Sequence, residues 1–277
     1  MMLTLFSLTG IGQAQKKFSL KLTGGYGTMS AGDINEMLSS LDTILTDLLS
    51  GFTKEGSLEK IKWGLDFDGE LIVDLTDNIG IGLGVGYIQR KKDSETIFME
   101  PLGTVTITGE PKITVIPIKL SAYYFYPIAS RLNIFLNGGI GYYFGNITFG
   151  FGSDVSAIEE TFWTKNVIEA KDDGIGFHGG IGFEYNMAKN FAFFVEGAGR
   201  YTKLKNWEGD ITITDSDGYT DKSSGTVWYY ETEFFGKYYP TIDVAKDKPT
   251  YPDIKNVRKF EGDLSGFSFR AGIRVKF

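Results

Sequence analysis

The last eleven residues read FSFRAGIRVKF, residues 267–277. Phe267, Phe269, Ala271, Ile273, Val275 and Phe277 alternate with Ser268, Arg270, Gly272, Arg274 and Lys276. Side chains on a β-strand point to opposite faces in turn, so this segment has one oily face and one polar, cationic face. Seven earlier segments repeat the period. Residues 16–27 place Phe18, Leu20, Leu22 and Tyr26 together, and residues 61–74 place Trp63, Leu65, Phe67, Leu71 and Val73. Ile79, Ile81, Leu83, Val85 and Tyr87 alternate with four glycines. Ile116, Ile118, Leu120, Tyr124 and Tyr126 follow, then Leu132, Ile134, Leu136, Ile140, Tyr142 and Phe144. Ile175, Phe177, Ile181, Phe183 and Tyr185 make the sixth set, and Phe191, Phe193, Val195 and Tyr201 the seventh.

The spacers alternate in length. Residues 75–78, 127–131 and 186–190 are short turns, whereas 28–60, 88–114, 145–173 and 202–266 are long. Consecutive antiparallel strands put alternate connections at opposite ends. One end of the sheet is therefore trimmed, the other carries the extra chain, and eight strands return both termini to the trimmed end.

Volume decides which face is outside. The oily faces carry thirty-nine large apolar side chains. An eight-stranded barrel has an interior just wide enough for its own side chains, and so many groups do not fit there. The other face is rich in glycine and carries Asp66, Asp68, Glu70, Asp74, Glu184 and Glu196, balanced by Lys17, Lys21, Lys62, Lys119, Arg200, Arg270, Arg274 and Lys276. The pattern predicts an all-β, eight-stranded antiparallel up-and-down transmembrane β-barrel with apolar residues toward lipid and charges in the lumen. Each segment supplies the ~9–11 residues that a tilted strand needs to cross a bilayer. Tyr26, Tyr87, Tyr126, Tyr142, Tyr185 and Tyr201 fall near strand ends, where interfacial aromatics belong. The last strand must pair with the first, because lipid satisfies no free edge. A soluble lipocalin-like barrel or a two-sheet sandwich is the competing architecture.

Composition agrees. Of 277 residues, 42% are hydrophobic and 15% aromatic, glycine numbers 36, and the net charge is −7. No run of 18 apolar residues exists, so no membrane-spanning helix is available. Absent cysteine removes disulfides and thiolate metal sites. The negative charge argues against nucleic acid as a partner. MMLTLFSLTGIGQAQ (residues 1–15) resembles the apolar part and cleavage region of a secretory signal without its basic start. The alternative is a disordered or strand-like N-terminus. The expected division is a truncated signal at 1–15 and a barrel domain at 16–277.

These features resemble the small outer-membrane β-barrels of Gram-negative bacteria, of the outer-membrane protein A, X and W type. The resemblance covers about residues 16–277. It implies a chain in the outer membrane with both termini periplasmic, in contact with outer-membrane lipid and lipopolysaccharide. It also implies that Phe269, Ile273, Val275 and Phe277 form the terminal signal read by the outer-membrane assembly machinery. The protein A type also carries a periplasmic peptidoglycan-binding domain, which is expected to be absent here.

Several constellations are candidate sites. Asp66, Asp68, Glu70, Glu184, Glu196, Arg200, Arg270 and Arg274 are expected to form a lumen ion-pair network, with Glu196 and Arg200 beside Arg270 and Arg274. Such a network either plugs the barrel or gates a narrow pore. In residues 32–51, Ile34, Met37, Leu38, Leu41, Ile44, Leu45, Leu48 and Leu49 follow helical spacing. Asp33 with Glu36 reads as a capping box and Gly51 as an exit. This predicts an amphipathic helix in the first extracellular loop, packed over the mouth or against the fourth loop. Its polar face holds Asp33, Glu36, Asp42 and Asp47. In the long fourth loop, alternation at Ile211 and Ile213 and at Val227, Tyr229 and Glu231 predicts a β-hairpin. Trp228, Tyr229, Tyr230, Phe234, Phe235, Tyr238 and Tyr239 would pack on the helix or form a binding surface with it. Asp215, Asp217 and Asp221 around Gly218 faintly resemble a calcium loop, although no bidentate glutamate follows and ordinary turn chemistry gives the same spacing. Arg90, Lys91 and Lys92 would meet lipopolysaccharide phosphates or stand solvated. His178, the single histidine, reads as structural, since no serine–histidine constellation is legible. The GxG repeats between Gly80 and Gly86 open no helix and are not nucleotide loops. The reading is a non-enzymatic barrel with a charge-plugged lumen and a structural or surface-binding role, without cofactor. A narrow pore for small or hydrophobic solutes is the alternative, and a barrel-borne hydrolase stands behind both.

Overall fold

The computed structural model describes residues 17–157, 160–234 and 236–277; the signal-like stretch at 1–15 and Phe235 lie outside them. In chain order the elements are β1 (Lys17–Thr28), α1 (Asp33–Leu48), β2 (Thr53–Gly56), β3 (Trp63–Asp74), β4 (Ile79–Lys91), β5 (Ser94–Glu100), β6 (Gly103–Ala129), β7 (Leu132–Ala157) and β8 (Glu160–Ala188). There follow β9 (Phe191–Tyr201), β10 (Lys203–Leu204), β11 (Glu208–Asp215), β12 (Thr220–Phe234), β13 (Lys237–Ala245), β14 (Ile254–Lys259), β15 (Gly262–Asp263) and β16 (Gly266–Lys276). The strand number is thus sixteen among the described residues, not the eight expected.

The eight segments picked out by alternation pair in a closed ring. β1 pairs with β3, β3 with β4, β4 with β6, β6 with β7, β7 with β8, β8 with β9, and β9 with β16, all antiparallel. The ring closes where β16 meets β1, setting Leu20 opposite Val275, Leu22 opposite Ile273 and Tyr26 opposite Phe269. Of the thirty-nine large apolar side chains on the oily faces, thirty-two are exposed and none is buried. The six tyrosines near strand ends all lie on this outer surface. Tyr26 stacks on Trp63 with ring centroids 5.9 Å apart.

The other eight strands form a crown at the end opposite the short turns. Segments 88–114 and 145–173, expected as loops, largely continue strands. β6, β7 and β8 have 27, 26 and 29 residues, more than twice the ~9–11 of a crossing. Beyond the apolar belt, these three strands exchange the face that carries their apolar residues. On β6, Ile116, Ile118 and Leu120 point out, with Lys119 and Ser121 inward and buried. Further along the same inward face stand buried Ile107, Ile113 and Val115. Buried Ile147 and Phe149 on β7 and Ile168 and Ala170 on β8 do the same. The belt is inside-out, and the crown has an ordinary apolar core.

That core is closed by further elements. β5 pairs with β6, and β2 with β5. β11 extends the outer half of β8, followed by β12, β13 and β14. The fourth loop is therefore a small sheet continuous with the wall rather than one free hairpin. α1 packs against β13 and β15 and buries Ile34, Met37 and Leu38. Trp207, fully buried, meets Phe260 edge-on at 5.9 Å. The capping box does not form. Gly32 is the N-cap, at φ +53°, and no side chain caps the helix. A Cβ there would lie 2.5 Å from the Glu261 carbonyl oxygen, so the position needs glycine. The Asp33 carboxylate is taken instead by Arg258, at 2.6 and 2.7 Å, and by the Glu261 N–H at 2.8 Å. At the far end, the Leu49 N–H donates to the Leu45 carbonyl, so the helix closes before Gly51.

Candidate functional site: the lumen and the crown

The lumen is filled in layers. Nearest the short turns, Ile72, Tyr123, Phe125, Phe135 and Phe194 form a buried cluster. Phe135 meets Phe194 edge-on at 5.9 Å, and Tyr123 stacks on Phe125 at 5.7 Å. The Lys21 ammonium sits 4.7 Å from the Phe194 ring and 4.9 Å from Phe135. The Arg274 guanidinium covers Phe125 at 4.2 Å. It also binds Asp74 at 2.7 Å, Glu184 at 3.4 Å and the Ser19 hydroxyl at 2.8 Å. Lys276 joins Glu184 at 2.9 Å. Glycine makes room for the rings. A Cβ on Gly272 would lie 2.6 Å from the tip of Phe194.

The next layer centres on Glu196, which takes Lys21 at 3.1 Å and Arg270 at 3.0 Å. Tyr123 donates to Glu70, and Lys119 pairs with Asp68. Above these, Arg90 pairs with Asp66 at 2.8 Å and donates to the carbonyls of Leu65, Gln89 and Thr28.

Of the eight residues expected in the network, Asp66, Asp68, Glu184, Glu196, Arg270 and Arg274 make ion pairs. Glu70 meets a tyrosine rather than a base. Arg200 makes no ion pair with a carboxylate among the described residues: its registered partners are Gly266 on β16 and His178 on β8, and its Nε donates to the Leu264 carbonyl at 2.6 Å. Lys21, Asp74, Arg90, Lys119, Tyr123, Asn137 and Lys276 complete the layers and were not assigned to the network from sequence. Parity was the available signal for Arg90, three residues past outward Tyr87. It does not join Lys91 and Lys92 at the surface but is 0% exposed. Lys91 and Lys92 face solvent, paired with Asp93 and Glu59.

Sequence spacing also hid a serine–histidine contact. Ser121 Oγ and His178 Nε2 are 3.0 Å apart, 57 residues apart in sequence. The pair is walled in: Ser121 is buried, and the adjoining lumen cavity is only about 40 Å³.

The crown holds a larger opening. A groove of about 400 Å³ runs between α1 and the sheet, lined by Met37, Leu41, Phe149, Phe151, Ile168, Ile211 and Ile242, with Asn166 and Asp243 among its polar groups. Its volume is within the range of small-ligand pockets. Nearby, Tyr229 donates to Glu36 at 3.3 Å, and Lys237 ties β13 to Asp47 of α1 at 3.0 Å. Burial, with Glu36 beside it, pushes the Tyr229 hydroxyl up to about 12. Burial followed by Asp243 pushes Tyr230 up as well. Hydrogen bonds from Lys203 and Lys205 hold the Glu261 carboxyl below its usual range. Asp215 closes the β11–β12 turn by accepting the N–H groups of Asp217 and Tyr219 at 3.0 Å, with Gly218 at φ +82°. Asp221 lies on β12 opposite Ile213. Among the described residues no cluster of three or more His, Asp or Glu is placed to hold a metal.

A closed strand ring with an apolar exterior and a charged interior now stands beside one family match. The model of the outer membrane protein β-barrel domain matches residues 2–230. The chain belongs to that family. It is an outer-membrane, transmembrane β-barrel of the Gram-negative type. Among solved structures it is similar to a major outer membrane protein of Thermus thermophilus, at 14% identity and a TM-score of 0.41, covering 95% of this chain and 100% of that one. It is also similar to the outer membrane protein OprG of Pseudomonas aeruginosa, at 11% identity and 0.44, covering 95% and 96%. The outer membrane protease OmpT of Escherichia coli aligns at 10% identity and 0.27, covering 95% and 97%. No functionally curated protein matches the chain.

Proposed function

We propose that this outer-membrane protein is an eight-stranded barrel with a shut lumen, both termini periplasmic, that works without catalysis through its extracellular crown. The observation that carries the reading is the layered filling of the lumen. Aromatic rings capped by Lys21, the Glu196 pairs and the Arg90–Asp66 pair leave a cavity of only about 40 Å³. Buried ion pairs with several hydrogen bonds each are costly to break singly, which favours a plug over a gate. The enclosed Ser121–His178 contact, with the Nδ1 atom of His178 left unbonded, supports no hydrolytic role.

The partners follow from the surfaces. The exposed apolar belt meets lipid, and Lys91 and Lys92 at its outer end suit lipopolysaccharide phosphates. The outward Phe269, Ile273, Val275 and Phe277 suit recognition by the assembly machinery. Loops one and four meet in the crown, whose groove suits an apolar group carrying a donor for Asp243. No cofactor is required. Planar-bilayer recording of the purified full chain tests the reading. Silence supports the plug; steady single-channel steps would replace it with a narrow pore for small or hydrophobic solutes.

A further inference from the structure

We infer that the central lumen cavity is a binding site for one small monovalent inorganic anion, of which chloride is the probe. Charge in the lumen does not balance among the described residues. Lys21, Arg90, Lys119, Arg270, Arg274 and Lys276 each reach a carboxylate. The carboxylates facing them are Asp66, Asp68, Glu70, Asp74, Glu184 and Glu196. Arg200 is the seventh cation, and its hydrogen bond goes to a main-chain carbonyl. A charge left without a counterion in a low-dielectric interior is strongly unfavourable.

The excess sits beside open space. The cavity of about 40 Å³ is lined by Arg200, Arg270, Lys119, His178, Asp66 and Asp68, among others. Five of the lumen's buried polar atoms that lack a hydrogen bond belong to residues of this wall: Arg200 Nη2, Arg270 Nε, His178 Nδ1, the Tyr143 hydroxyl, and Asp66 Oδ1, which the Arg90 guanidinium holds at 2.8 Å. The Arg200 and Arg270 nitrogens are donors, as is the Tyr143 hydroxyl, and His178 Nδ1 is one in the tautomer where Ser121 donates to Nε2. Asp66 and Asp68 would repel an anion, but each is neutralised by its own cation, Arg90 and Lys119. The wall therefore offers unused guanidinium donors from Arg200 and Arg270 beside the Tyr143 hydroxyl, with Arg200 making no ion pair among the described residues, and the cavity of about 40 Å³ has room for one small ion with a water. Water alone would satisfy the donors but leave the charge. This inference concerns the barrel's interior and does not depend on what the crown binds.

The test uses the full-length barrel in a zwitterionic detergent. Its unfolding midpoint, read from the boiled-versus-unboiled gel shift, is measured in gluconate and in chloride at equal ionic strength. Chloride and bromide are expected to raise the midpoint saturably, and Arg200→Gln to abolish that response. Crystals grown in bromide should show an anomalous peak among Arg200, Arg270 and His178. An equal salt response in Arg200→Gln, or a cavity holding water only, overturns the inference. If the variant does not fold, the bromide peak in the natural sequence decides.

Discussion

Glu196 on β9 stands directly opposite Arg270 on β16 and binds it at 3.0 Å, while Lys21 reaches the same carboxylate oxygen from β1 at 3.1 Å. One acid thus holds two cations across the three strands that close the ring. Glu196→Ala leaves both cations buried without that partner. Removing one member of a buried ion pair costs about 3–5 kcal/mol. Urea unfolding of the detergent-solubilised barrel should show a loss of that size. A loss below about 1 kcal/mol would mean that the triad is solvated and the lumen is not a plug.

Arg258 grips Asp33 with both guanidinium nitrogens and covers the Tyr229 ring at 3.9 Å. This fork is the main polar tie between the start of α1 and the fourth-loop sheet. Its guanidinium is about half exposed, so screening lowers its worth; roughly 1 kcal/mol is expected for Arg258→Ala. The effect should be local. Limited proteolysis should cut within residues 33–48 faster in the variant, while the heat-dependent gel shift of the belt stays unchanged. Equal cleavage rates would assign the docking of α1 to Ile34, Met37 and Leu38 alone.

The Tyr229 hydroxyl gives the crown an alkaline limit. Its pKa is raised by burial, then by Glu36, to about 12, against 10.0 unperturbed. A raised value means that the folded state holds the proton more tightly than the unfolded one. Stability from this group is therefore complete below pH 10 and is lost as pH rises through about 12. Crown proteolysis should accelerate across that window in the natural sequence and less so in Tyr229→Phe. An identical alkaline profile in the two proteins would remove Tyr229 as the source.

The ring and its inverted faces were legible because outward apolar residues keep the period of two through each crossing, even where Ile72, Tyr123, Phe125, Phe135 and Phe194 put apolar groups on the inward face as well. Phe67 and Leu83 had to face out once volume excluded them from the lumen. The crown was less legible for the same physical reason. Where β6 leaves the belt, Val115 and Ile116 are adjacent apolar residues pointing to opposite sides, so alternation looks broken although the strand continues. Within the lumen, sequence gives the face of a charge but not its height. Register supplies that, setting Glu196 against Arg270 and leaving Arg200 against Gly266. The basic run from Arg90 to Lys92 looked like one surface patch, yet its first member turns inward to Asp66. Ser121 and His178 meet only because β6, β7 and β8 are neighbours.

Phe277 separates folding stability from assembly. Its N–H donates to the Phe18 carbonyl at 2.7 Å, which helps to hold the end of β16 on β1, but the residue as a whole is 72% exposed on the outer surface. Phe269, on the same face, is 76% exposed. An outward ring adds little to protein packing, and replacing it by alanine keeps the backbone hydrogen bond. Phe277→Ala should therefore refold in detergent with an unfolding free energy within about 0.5 kcal/mol of the natural chain. If the terminal aromatic is the handle by which the assembly machinery takes the strand, the same variant should be depleted from outer membranes in cells. The ratio of heat-shifted protein in isolated membranes to that refolded in vitro isolates the effect. Depletion in cells with normal refolding assigns Phe277 to assembly; parallel loss in both assigns it to the seam; no loss in either removes it from the signal.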